Sequence, residues 1–102
     1  AAVAREGKRA RTRFLDVRAT PSPLSHPRVG IVVPRHGRTI VERNRLKRKL
    51  RELVRLYVLP DAHAIDFVIR VRHEAYSAPF GDLHRELLQA AQRLQHALAK
   101  AG

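Results

Sequence analysis

The chain has 102 residues, enough for a single domain that buries roughly two thirds of the surface exposed in its unfolded form. Twenty-one Lys and Arg stand against nine acidic residues, a formal charge of +12, so the leading partner is a polyanion, either nucleic acid or an anionic membrane. The lack of cysteine excludes disulfides, thiolate nucleophiles and cysteine zinc sites; with neither a run of about 18 apolar residues nor a secretory pattern, a soluble, cytoplasmic protein is expected.

Residues 1–11 are rich in Ala, Arg and Lys without a usable period, and read as a basic N-terminal arm. In residues 12–19, Leu15, Val17 and Ala19 alternate with Phe14, Asp16 and Arg18, which predicts a half-buried strand. Thr20–Pro27 contains three prolines, which remove ladder donors, so it must connect; residues 28–33, R-V-G-I-V-V, form the next strand, and a β-hairpin with a long loop is the economical pairing. Pro34 ends it. After the basic turn Arg35-His36-Gly37-Arg38, Thr39 and Glu42 have capping-box spacing, so a helix starts near Ile40. Leu46, Leu50, Leu53, Val54 and Tyr57 then form one apolar stripe, ending before Pro60. Residues 65–71 alternate as a third strand, with Ile65, Phe67, Ile69 and Val71 on one face and Asp66, Val68 and Arg70 on the other. From Asp82, a candidate cap, to Ala99 a second helix repeats Leu83, Leu87, Ala90, Leu94 and Leu98. The order strand, strand, helix, strand, helix gives one α+β domain over 1–102, a two-layer fold with both helices on one face of the sheet.

The charge is segregated. Residues 1–34 carry seven cations and two acids, residues 35–55 nine and two, and residues 56–102 five of each. The helix from Ile40 has a second stripe opposite the apolar one, made by Asn44, Arg48, Arg51 and Arg55 and flanked by Arg45 and Lys47. Guanidinium groups one turn apart, about 5.4 Å, can pair with several phosphates of one backbone. A charged stripe is also what any solvated helix face carries. Here, however, Glu52 is nearly alone among the cations, whereas a face made for solubility mixes signs.

The string Arg43-Asn44-Arg45-Leu46-Lys47-Arg48, followed by Leu50-Arg51-Glu52, resembles the R-N-R-x-K-R-x-x-R-E signature of the bacterial ribonuclease P protein family. H-P-R-V-G-I-V-V before it and D-F-V-I after it are similar to that family's strands, so the likeness covers roughly residues 7–98. The resemblance implies a mixed sheet with a left-handed strand-helix-strand crossover, like one domain of a small-subunit ribosomal protein. It also implies a protein that binds the catalytic RNA and the 5′ leader of precursor tRNA and supports an endonuclease reaction carried out by the RNA. Carried over, Arg43, Asn44, Arg45, Lys47, Arg48 and Arg51 fall on the RNA-contacting motif and Arg35 on a basic loop residue before it, with Arg55 continuing the stripe. The resemblance further implies that the leader lies in a cleft on the sheet face away from the helices, which here would present Phe14, Asp16, Arg18, Val32, Val68 and Arg70; packing against the N-terminal arm is the alternative for Phe14. The sequence departs from the family where a helix usually precedes the first strand, which is expected to be shortened or missing here. It departs again at Pro34-Arg35-His36, where two lysines are usual, and at Ile40, where a small residue is usual.

No catalytic or metal-binding residue of the protein itself is expected. The carboxylates Asp16, Glu42, Glu52, Asp61, Asp66, Glu74, Asp82 and Glu86 form no local metal motif, and His26, His36, His63, His73, His84 and His96 lack ligand or acid/base spacing. The resemblance places Mg²⁺ on the RNA subunit, and no obligate protein partner is inferred. The alternative reading is a ribosomal or other structural RNA-binding module, separated only by the Arg-Asn-Arg signature. A membrane-binding helix is disfavoured, because the apolar face of the residue 40–57 helix lacks Trp or Phe and is needed for the core.

Overall fold

The computed structural model describes residues 7–62 and 64–101. Its four-stranded sheet has the order β1-β2-β4-β3, formed by β1 (Lys8–Arg11), β2 (Leu15–Pro21), β3 (Arg28–Val32) and β4 (Ile65–Val71). β4 takes a central place for a physical reason: its four alternate residues Ile65, Phe67, Ile69 and Val71 are all buried, so it gains most from two neighbours. It pairs antiparallel with β2, placing Val17 opposite Ile69, and parallel with β3, placing Ile31 opposite Ile69. The expected hairpin between β2 and β3 is therefore not formed. The proline-rich link carries the chain past β4 instead of folding it tightly back.

The segment expected to be an arm also needs correcting. Residues 8–11 add a strand to the sheet, Ala10 entering the core and Arg9 and Arg11 facing away, antiparallel to β2. Residues 1–6, on which the expectation of a shortened or missing first helix falls, lie outside the described residues. The turn into β2 is held by Thr12, whose hydroxyl accepts from the Leu15 N–H at 3.0 Å and whose own N–H donates to the Leu15 carbonyl at 2.7 Å. Residues 12–14 thus belong to a turn, and β2 runs on to Pro21.

α1 (Ile40–Leu53) begins with the expected capping box: the Thr39 hydroxyl accepts from the Glu42 N–H at 3.1 Å, and the Glu42 carboxylate accepts from the Thr39 N–H at 3.2 Å. That backbone bond, and then the Arg38 guanidinium, hold the Glu42 carboxyl below the usual range. Leu46, Leu50, Leu53 and Val54 are buried as the period requires. Tyr57 is not. After Leu53 the helix widens into a π-turn, Val54–Val58, closed by the Leu59 N–H on the Val54 carbonyl. The extra residue per turn brings Val58 (2% exposed) into the core and leaves Tyr57 at the surface (42% exposed), stacked on His84 with ring centroids 4.1 Å apart.

α2 (Phe80–Ala101) starts earlier than expected: the N–H groups of Asp82 and Leu83 already donate to the Pro79 carbonyl, so Asp82 lies in the first turn and is not the cap. It buries Leu83, Leu87, Ala90, Ala91 and Leu94 across β1 and β2, while α1 packs beside β3, so both helices cover one face of the sheet. The other face stays open.

Candidate nucleic-acid interface

Two cationic surfaces result. On α1, Asn44, Arg45, Arg48, Lys49 and Arg51 are exposed and Lys47 is half-buried, and none of the five cations has an ion pair among the described residues. Arg55 is exposed but held by Glu52 at 2.5 Å. Arg43, from the same motif, turns inward: its Nε and Nη2 both donate to the Val33 carbonyl at 3.3 Å, fastening α1 to the end of β3. Arg35 is exposed on the preceding turn, where His36 (φ 47°) and Gly37 (φ 73°) take left-handed conformations; only Gly37 does so without steric cost.

The open sheet face carries Arg9 and Arg11 from β1, Asp16 and Arg18 from β2, Asp66, Val68 and Arg70 from β4, and Arg28 and Val32 from β3. Asp16 and Asp66 are each gripped through both oxygens, by Arg9 at 2.9 and 2.5 Å and by Arg28 at 2.9 and 2.6 Å. Those hydrogen bonds hold both carboxyls below their usual range. Arg11, Arg18 and Arg70 are left without an acidic partner among the described residues. Between the strands lies a concavity of about 250 Å³ lined by Asp16, Arg18, Val32, Val68 and Arg70, so the expected cleft residues converge, with one exception. Phe14 is 4% exposed and packs in the core, its N–H 3.4 Å from the Glu86 carboxylate of α2 and its ring under the Arg13 guanidinium at 5.2 Å. The cleft floor is aliphatic: Val32 and Val68, with Gly30 beside Val68 in register adding no side chain.

At one end this cleft runs into a second hollow of about 230 Å³, which shares Asp16 and Arg70 and adds Arg11, His36, Arg72, His73 and Glu74. The rings of His36 and His73 meet edge to face at 5.8 Å. No group of three or more His, Asp or Glu able to hold a metal ion is present among the described residues. Arg9, Arg11 and Arg28 are additions to the sequence reading. The alternation of Arg9 and Arg11 about Ala10 was the available signal, but four residues with one small apolar side chain are too short to distinguish a strand from an arm.

A cationic helix and an open cationic sheet, joined in one small α+β domain, define a module suited to a polyanion. The family model for ribonuclease P matches residues 1–95. The chain is 39% identical over 89 residues to the ribonuclease P protein component of Thermus scotoductus and 41% identical over 90 residues to that of Thermus oshimai, in each case 87% of this chain. It spans about half the length of these curated relatives, 52% and 56%. The solved RNase P protein of Thermotoga maritima superimposes with a TM-score of 0.79 at 26% identity, over 90% of this chain and 87% of that one. This chain belongs to the ribonuclease P protein family.

Proposed function

We propose that the chain is the protein subunit of a ribonuclease P ribonucleoprotein, with α1 docked on the catalytic RNA and the open sheet face holding the 5′ leader of precursor tRNA. The observation that carries this is the cleft: two unpaired arginines, Arg18 and Arg70, flank the aliphatic pair Val32 and Val68 on the face the helices leave bare. Such a surface takes a single strand, phosphates to the guanidinium groups and bases over the apolar floor. The unpaired cations Arg45, Lys47, Arg48 and Arg51, with Asn44, suit the sugar-phosphate backbone of a folded RNA, and Arg35 extends that surface. Arg43 serves it by holding α1 in place. The same reading gives the β3–α1–β4 crossover the family's left-handed sense.

Cleavage then belongs to the RNA and its Mg²⁺, and the protein acts by binding and positioning. Reconstitution tests this directly. With the cognate RNA subunit, the chain should raise site-specific 5′ cleavage of precursor tRNA, more for substrates with a leader than for those whose leader is cut to one nucleotide. Cleavage by protein alone, or stimulation indifferent to the leader, would overturn the assignment.

A further inference from the structure

Between the outer edge of β3 and the flank of α1 runs a groove of about 500 Å³, separate from the cleft on the open face. Its floor is apolar, made by Val29, Ile31, Val54 and Leu59, and its rim carries Lys47, Arg51 and Arg55. Two features make it more than a crease. β3 is an edge strand bonded only to β4, so on the groove side its backbone donors and acceptors have no sheet partner. Val54 and Leu59, moreover, are the two ends of the π-turn closure, which lines the groove with both of them.

We propose that this groove receives one unpaired nucleotide of the bound RNA, its base on the apolar floor and its flanking phosphates held by Lys47 and Arg51. The inference rests on the reading above that α1 docks on RNA, and it names the RNA feature that is recognised. Lys47 and Arg51 stand one helical turn apart on one wall, with no ion pair among the described residues, while Arg55 is already tied to Glu52. Cations so placed are complementary to a phosphate backbone. A continuous duplex would satisfy them and leave the apolar floor wet; a nucleotide splayed from a bulge or loop fills both. No aromatic ring lines the groove, so stacking falls to the guanidinium plane of Arg51, and the β3 edge supplies hydrogen bonds to the base. An extended acidic peptide fits less well. The free edge is five residues long and stands between Pro27 and Pro34, which donate no N–H to an added strand.

Two RNA hairpins with the same stem provide the test, one fully paired and one with a single 2-aminopurine bulge, titrated with the full chain. The bulged RNA should bind roughly tenfold tighter, and the 2-aminopurine fluorescence should change on binding. Val29→Phe fills the groove from the strand side and should bring the two affinities within about twofold; Leu59→Phe does so from the other wall if the first variant lowers the thermal midpoint. Arg85→Ala, on α2, should leave the preference intact. Equal affinity of the wild type for both hairpins, or a preference that survives both filled variants, would overturn the proposal. So would binding of an acidic peptide that Val29→Phe abolishes, without a bulge preference. Affinity for the RNase P RNA subunit, measured in parallel, separates the two failures: tight binding there without a bulge preference removes only the groove assignment.

Discussion

Arg43 and Phe14 show how a motif can be recognised while the work of its residues is not. Arg43 opens the Arg-Asn-Arg string, yet its guanidinium is spent on the Val33 carbonyl, so Arg43→Ala should cost roughly 1–2 kcal/mol of stability. Arg48→Ala, exposed and unpaired, should stay within about 0.5 kcal/mol while weakening RNA binding. Thermal unfolding and RNA affinity on both variants separate the two roles; equal stability would mean that the Arg43 hydrogen bonds contribute nothing. Phe14 belongs to the core, so Phe14→Ala should cost about 3–5 kcal/mol. A stable variant with impaired leader binding would return it to the cleft. The sequence left Phe14 open between the cleft and packing against the N-terminal arm, because its direction depends on where β2 starts. Strict alternation from residue 12 turns it outward, whereas the Thr12 turn delays the strand to Leu15 and lets both neighbours enter the core.

Among the elements, α1 was legible because its two stripes hold a helical period for four turns, and its start because Thr39 and Glu42 stand three apart. The π-turn was not, since nothing in V-R-L-Y-V distinguishes an i+5 closure from an i+4 one. The resulting exchange of Tyr57 for Val58 is testable. Val58→Ala should destabilise by roughly 2 kcal/mol and Tyr57→Ala by less than about 1, with midpoints of chemical unfolding as the measure; the reverse order would restore a continuous α-helix. β1 and β3, the outer strands, are each clamped to an inner neighbour by a carboxylate, Asp16 to Arg9 and Asp66 to Arg28. Both carboxyls titrate lower in the folded protein than in the unfolded chain. Their contribution is therefore present above the unfolded value and lost as pH falls through the folded one. The thermal midpoint should drop below about pH 4, and in the double variant Asp16→Asn, Asp66→Asn the acid limb should flatten. An unchanged limb would assign acid lability to other groups.

At the scale of the whole molecule, strand order is what the sequence could not supply. Adjacent strands usually pair, and β2 with β3 was the short-range solution; only burial of four β4 residues from 65 to 71 decides for an intervening strand. That insertion places Arg18 and Arg70 on neighbouring strands and on the same face, Arg70 two residues beyond Val68, the partner of Arg18, and so turns scattered cations into a cleft. The segregation of charge was legible from composition alone, and it has a thermodynamic signature. Five cations on α1, Arg45, Lys47, Arg48, Lys49 and Arg51, have no acidic partner among the described residues, whereas Arg9, Arg28 and Arg55 are already neutralised. If those five each displace one counterion from a bound RNA, log K should fall with log salt with a slope of roughly −3.5 to −4.5. Removing two of them in Arg48→Ala plus Arg51→Ala should reduce the slope by about 1.4–1.8. Removing two charges in Arg85→Ala plus Arg93→Ala, on the nearly neutral α2, should leave it unchanged, although net charge falls equally. A salt titration of the RNA subunit against the wild type and both double variants decides the matter, since equal slope changes would mean that overall charge, and not the face of α1, sets the affinity.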